Sequence, residues 1–426
     1  MVKGIRNIKE SKVVREAATL VSGNVMAQLI SVLAYLVLTR IFSPSDFALF
    51  NIFYSYIEVL IIFSTCKYEL AVVVADDEAE SAAMARFALH LNTWVSLALL
   101  SLAATLYLTH ALPGDFSQLG IIVLLIPPMV YFTGTSRVYA ALFNRVRRYR
   151  LIAASEASNA TAGALLKALL GLLGMKQAGM PLGAVLGQAA ANLLYRFRIP
   201  GLHLPKTSAA QRKEAARKHR NFPLFAAPKD FINSFSFNLP FLWLALYFDK
   251  AEVGLFGLAL TFTMRPANVL NAAFERVLYA RTAEQVRQRQ SISRLIRRFL
   301  LYINMIAFPV CVVGWLFSEP LCAFFFGEEW GGSGVYIQTL LPWIFLSLSS
   351  ASLTFIPNVF STQRTEIFFY LALLGLRVAA VVVGIHAADF LTGIRLYATA
   401  GALVSASLLV WYVWQVRRYE RSLPRK

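Results

Sequence analysis

The sequence predicts an all-α polytopic membrane protein of about twelve transmembrane helices in two six-helix halves. Three observations predict it. The 426-residue chain is 58% hydrophobic and only 15% charged, with a mean hydropathy of +0.58, which is too apolar for a soluble protein of ordinary composition. Apolar runs of about 20 residues, the length a helix needs to cross the hydrocarbon core, recur from end to end. The basic residues between these runs fall on alternate loops.

The runs cover 17–39, 47–66, 87–109, 119–142, 151–174, 178–195, 231–248, 253–272, 299–317, 335–354, 367–388 and 396–415. The first follows a basic head (Lys3, Arg6, Lys9, Lys12, Arg15). It is longer than a signal-peptide core and lacks a small-residue cleavage site, so it reads as a retained helix. The fourth carries Pro127 and Pro128, which neighbouring helices can accommodate by re-satisfying the freed backbone groups. The sixth is the shortest signal, rich in Gly and Ala. Cys66, Cys311 and Cys322 are odd in number and have no metal-like spacing, so neither a disulfide framework nor a zinc site is expected.

A net charge of +18 raises the question of nucleic acid, and the distribution of charge answers it. With the N-terminus in the cytoplasm, 33 of the 41 Lys and Arg residues lie on the cytoplasmic side. Four lie outside (Arg40, Lys176, Lys250, Arg395) and four within helices. This is the positive-inside pattern of a multi-pass protein, expected in a cytoplasmic (inner) membrane, not a nucleic-acid footprint. An even number of spans also returns the C-terminal cluster Arg417, Arg418, Arg421, Arg425 and Lys426 to the cytoplasm, as the same rule requires.

The densest soluble stretch, 196–220, carries Arg212, Lys213, Arg217, Lys218 and Arg220 and lies in the basic loop 196–230 that divides the chain into halves 1–205 and 206–426. A second basic stretch, 276–298, interleaves Val286, Ile292, Leu295 and Ile296 with arginines and reads as an amphipathic helix on the membrane surface. Ser45-Asp46-Phe47-Ala48-Leu49-Phe50, entering the second run, is similar to Ala251-Glu252-Val253-Gly254-Leu255-Phe256, entering the eighth. Matching hairpins that run in the same direction imply parallel halves with a transport site between them.

These motifs resemble those of the polysaccharide transporters of the multidrug/oligosaccharidyl-lipid/polysaccharide (MOP) superfamily, especially the O-antigen-type flippases. The stretch from Thr39 through Ile41-Phe42-Ser43-Pro44 to Ala48 is similar to the family's first outer turn, and Tyr68-Glu69-Leu70-Ala71 to its motif after the second helix. Phe222-Pro223-Leu224, Leu239-Pro240 and Glu252 to Phe256 are similar to the start of its second half. Phe326-Gly327-Glu328-Glu329-Trp330 followed by Gly334 is similar to its loop between helices nine and ten. One departure is Ala48, where the family usually has glycine, and looser packing is expected there. The resemblance implies a MOP/MATE-like fold. It also implies export of an undecaprenyl-diphosphate-linked oligosaccharide to the outer leaflet by alternating access around a cationic cavity. Membrane lipids, and polysaccharide polymerase and chain-length machinery, are the implied partners.

Independently of that resemblance, a charge deep in a membrane helix costs about 3 kcal/mol or more, so it faces protein or a wet cavity. Arg137, Lys167, Arg265 and Arg377 outnumber Glu58 and Glu156, which suits a path for a diphosphate or acidic sugars. The bland alternative is that the two acids simply neutralise two of the bases, with Lys167 reaching outward. Asn24, Gln28, Asn51 and Asn238 would offer hydrogen bonds to sugar hydroxyls, although amides in membrane helices more often join helix to helix. Glu58 is the candidate for proton or sodium coupling, with Glu156 as a second carboxylate, and Lys67 with Glu69 for a gate or structural pair.

No Walker loop or His-Glu-x-x-His motif occurs, and the histidines are scattered, so no cofactor, metal or catalytic residue is expected. Two alternatives stay open at this point. A cation-coupled multidrug exporter would share the plan but sits poorly with excess positive charge. A membrane glycosyltransferase, ligase or polymerase would need larger outer loops than the sequence supplies.

Overall fold

A computed structural model describes residues 26, 28, 30–112, 118–199, 205–360 and 362–423. Among these residues the chain is helical with no strand. The N-terminal part carries α1 (Ile30–Ile41), α2 (Pro44–Thr65), α3 (Tyr68–Val74), α4 (Glu78–Leu108), α5 (Ile126–Arg145), α6 (Tyr149–Leu172), α7 (Lys176–Arg198) and α8 (Ala209–Lys218). Then follow α9 (Ala227–Leu242), α10 (Lys250–Arg287), α11 (Ser293–Phe326), α12 (Ser333–Ala351), α13 (Ile356–Phe360), α14 (Gln363–His386) and α15 (Phe390–Ser422).

Each apolar run has one of these helices over most of its described length; the fourth opens on a 3-10 segment, Gly120–Leu125, and the seventh ends beyond α9 in another, Leu244–Leu246. Among the described residues seven segments are long and apolar enough to cross a membrane: Pro44–Thr65, Glu78–Leu108, Gly120–Arg145, Ser293–Phe326, Glu328–Phe360, Arg364–His386 and Phe390–Ser422. The helices α6 and α7 are richer in Gly, Ala, Ser and Asn, which lowers their hydropathy and lets them pack backbone to backbone. By internal contacts the chain divides into two units, one running from Leu49 to Ser234 with the segment ending at Phe42, the other from Phe235 onward with Ser43–Ala48.

In the first unit, Gly179, Gly183 and Gly187 repeat every fourth residue and so share one face of α7. A methyl group at Gly187 would come within 2.6 Å of the Gly163 Cα, and one at Gly183 within 2.7 Å of the Lys167 backbone nitrogen. The α6–α7 pair is therefore held by close van der Waals contact that any side chain would prop apart. At the other end of this unit, Ala71, Val72, Ala85, Ala88, Val138, Leu142 and Ala215 form an apolar cluster that docks the loop helix α8 onto α3, α4 and α5. A reciprocal capping box, Ser208 with Gln211, starts α8.

Arg145, in the last turn of α5, closes the end of α3. Its guanidinium donates to the carbonyls of Val73 (3.2 Å), Ala75 (2.7 Å) and Asp77 (3.0 Å). These are C-terminal carbonyls without helical partners, so one cation satisfies several at once. Arg145→Ala is expected to destabilise the first unit by about 2 kcal/mol, because charge-assisted bonds are lost and acceptors orphaned. Thermal unfolding of the detergent-purified variant measures this, and an unchanged midpoint would show that water replaces the guanidinium without penalty.

The second unit corrects one expectation. The basic stretch 276–298 is not a surface helix: α10 continues unbroken to Arg287, the chain turns through Arg289 at φ 53°, and α11 starts at Ser293. No Gly or Pro follows Pro266 within α10, and the apolar residues between the arginines have a protein core to enter. Ile292 and Ile296 are buried among Leu353, Phe355, Leu408 and Tyr412, with Val286 and Leu295 packed against them. Glu420 of α15 accepts hydrogen bonds from the Ile292 (2.7 Å) and Ser293 (2.9 Å) backbone N–H groups, capping the start of α11.

The repeated motif has a packing role in this unit. Pro44, at the start of α2, lies directly against Gly254 of α10. Phe47 meets the fully buried Trp330 edge to face, with ring centroids 4.8 Å apart. Gly327 turns the chain at φ 114°, a conformation that glycine tolerates, and so places Trp330 inward. Gly334 leaves room for the Glu319 backbone, where a Cβ would lie 2.4 Å away. Ala48 is itself fully buried, so its methyl group is accommodated and packing there is not loosened.

Candidate functional site

The most unusual side chain in the second unit is Arg377, near the middle of α14 and 2% exposed. Its guanidinium carbon lies 4.1 Å from the Tyr397 ring centroid and 4.7 Å from that of Trp343. Two aromatic faces thus supply cation–π attraction, about 2 kcal/mol each when desolvated. Both rings are held from behind. The Tyr397 hydroxyl donates to the Phe237 carbonyl at 2.9 Å, and Gly401 lets α15 approach the Trp343 indole so closely that a Cβ would lie 2.7 Å from it.

One nitrogen of Arg377, Nη1, reaches the Ser236 hydroxyl at 3.4 Å, a weak bond; Nε and Nη2 have no hydrogen-bond partner. Among the described residues no carboxylate pairs with it. A buried guanidinium with two unused donors is costly to hold and chemically poised to accept an oxyanion. Asn238, buried on the same helix as Ser236, is engaged within the protein. Arg265, immediately before Pro266 in α10, is half-buried and also engaged.

In the first unit Arg137 is half-buried on α5, next to a hydrogen-bond network that sequence reading passed over. Asn159 donates to Gln188 (2.9 Å), Gln188 to the Ser136 hydroxyl (2.7 Å), and Ser136 to Asn192 (3.2 Å). Asn192 in turn donates to the Phe132 carbonyl at 2.7 Å. Gln188 and Asn192 are four residues apart, so a polar stripe on α7 was the available signal. The network ties α5, α6 and α7 together as intramembrane amides commonly do.

Several candidate roles change. Lys167 does not reach outward: its ammonium sits 4.4 Å over the Phe50 ring, with its stem against Gly183. Lys67 and Glu69 do not pair with each other. Lys67 bonds Asp230 at 2.5 Å and Glu69 accepts the Thr65 hydroxyl at 2.7 Å, because a left-handed turn at Lys67 (φ 62°) points the two side chains apart. Neither Glu58, half-buried, nor Glu156, exposed on α6, forms an ion pair among the described residues, so they do not neutralise the intramembrane bases. Asn51 and Gln28 each keep one buried amide atom without a partner. Asn24 lies outside the described residues.

The fold is shared with known transporters. A lipid II flippase, MurJ, in an inward closed conformation superposes with a TM-score of 0.74 at 11% identity, over 94% of this chain and 90% of that one. A multidrug resistance MATE transporter of the MOP superfamily, inward-facing, gives 0.63 at 15% identity over 95% and 99%. A MOP superfamily transporter from Pyrococcus furiosus, described by the reverse polarity of its binding pocket, gives 0.62 at 11% identity over 96% of each chain. No curated protein matches the sequence. The family model for polysaccharide biosynthesis proteins matches residues 37–334, about 70% of the chain. The chain therefore belongs to the polysaccharide biosynthesis protein family, built on the fold of the MOP superfamily of transporters.

Proposed function

We propose that the protein is a flippase that carries an undecaprenyl-diphosphate-linked oligosaccharide from the cytoplasmic to the outer leaflet by alternating access. The observation that carries this reading is Arg377, a fully buried cation with two free donors and no carboxylate partner among the described residues. A site for cationic drugs would leave such a charge unpaired and repelled by its ligand, whereas a diphosphate or acidic sugar satisfies it. Membership in the polysaccharide biosynthesis family supports a glycan-bearing cargo.

Under this reading both termini lie in the cytoplasm, and Glu58 and Glu156, each without an ion pair, are the carboxylates available for proton or sodium coupling. Deleting the gene in its host is expected to abolish surface glycan and leave lipid-linked repeat units in the cytoplasmic leaflet. Mass spectrometry of extracted lipids, with and without outer-leaflet labelling, checks this. Undisturbed surface glycan in a host lacking a second such transporter would refute it.

A further inference from the structure

The loop helix α8 carries basic residues that neither the fold nor the proposed transport step uses. Its pocket-facing positions, Ala209, Arg212, Lys213, Ala216 and Arg217, recur at three- and four-residue intervals and so form one stripe, which Arg220 extends in the turn after the helix. The other face is spent on docking: Ala215 enters the apolar cluster and Lys218 bonds Asp76 (2.7 Å) and Glu80 (2.6 Å). Those bonds, to Asp76 first and then Glu80, raise the Lys218 pKa and keep it charged. None of Arg212, Lys213, Arg217 and Arg220 is paired with a carboxylate among the described residues.

The stripe forms one wall of an open pocket of about 810 Å³. The opposite wall is apolar and aromatic: Tyr68, whose hydroxyl donates to the Ala216 carbonyl at 3.3 Å, and Phe87, whose ring stands edge to face with Tyr68. His90 closes one end, donating through Nδ1 to the Arg86 carbonyl and lying 3.3 Å from an Arg212 nitrogen. A cationic wall facing an aromatic floor fits an amphiphile with a phosphate head, not a soluble anion. Beyond the pocket, α4 presents exposed apolar side chains. Trp94 and Leu97 follow His90 on the same side of α4, are 69% and 48% exposed, and belong to a membrane-length helix with little of its surface buried in protein.

We propose that this pocket is a binding site for an anionic phospholipid of the membrane, with the phosphate on Arg212, Lys213, Arg217 and Arg220 and the acyl chain along Phe87, Trp94 and Leu97. The site anchors α8 to the lipid surface. It does not depend on the transport reading, since it lies on α3, α4, α8 and the turn after α8.

The test is native mass spectrometry of the full-length detergent-solubilised protein titrated with phosphatidylglycerol, phosphatidylcholine or inorganic diphosphate. Phosphatidylglycerol is expected to be retained in preference to phosphatidylcholine. Arg212→Gln with Arg217→Gln should weaken it on the order of ten-fold or more, as removal of two surface cations predicts. Arg417→Gln with Arg418→Gln, elsewhere on the chain, should leave it unchanged. If the double variant fails to fold, Arg220→Gln, at an exposed position, reads the same effect at about five-fold. Equal retention of the two lipids, equal affinity in the variants, or displacement of the lipid by millimolar diphosphate would each overturn the proposal.

Discussion

Replacing Gly254 with alanine is expected to remove most of the folded protein. A Cβ at this position would lie 1.8 Å from the Pro44 carbonyl oxygen and 2.6 Å from its carbonyl carbon. Both atoms belong to backbone, at the first turn of α2, so no side-chain rotation relieves the clash. Separating the two segments would also pull Phe47 from Trp330, a ring pair at the centre of this packing. The cost is about 3 kcal/mol or more, a large share of the stability of any domain. Membrane yield and the thermal midpoint of the purified variant measure it, and wild-type values for both would mean that the α2 start is displaced without penalty. The corresponding Ala48→Gly change removes a buried methyl group and should cost only about 1 kcal/mol.

Arg377→Met is expected to do the opposite: to leave the protein as stable as the wild type or more so, and to abolish transport. Methionine fills a similar volume between Trp343 and Tyr397 and keeps sulfur–aromatic contacts while removing two orphaned donors and an unpaired buried charge. If the guanidinium serves the cargo, flipping of a lipid-linked glycan in proteoliposomes should fall at least ten-fold while the melting temperature holds. Arg377→Lys keeps the charge but loses the planar stack and is expected to recover only part of the rate. A variant that is both unstable and inactive would make Arg377 a packing residue, and one that flips normally would place it outside the path.

The helical plan was legible because bilayer length and hydrogen-bond closure make each span a long apolar stretch, and the described residues of the apolar runs are mostly helical. The turn motifs were also legible, but as packing devices: Gly254, Gly327, Trp330 and Gly334 each fit one close approach or one turn. Pairing of charges was not legible. Lys67 prefers Asp230, more than 160 positions away, to Glu69 nearby, and a local left-handed turn decides this. Likewise the arginines of 276–298 looked interfacial because the core that receives Ile292 and Ile296 is assembled from helices distant in sequence.

By itself the sequence determined that this is a many-spanned helical membrane protein with basic residues concentrated between alternate spans, because burial in lipid and charge placement act on local segments. It also marked Arg377 as an intramembrane cation. Only the tertiary structure decided that this cation lies between two aromatic rings with donors to spare while Lys167 is absorbed by Phe50 and Glu69 by Thr65. The physical reason is that a charge's role depends on which partners packing brings within hydrogen-bond reach, and those partners come from other helices.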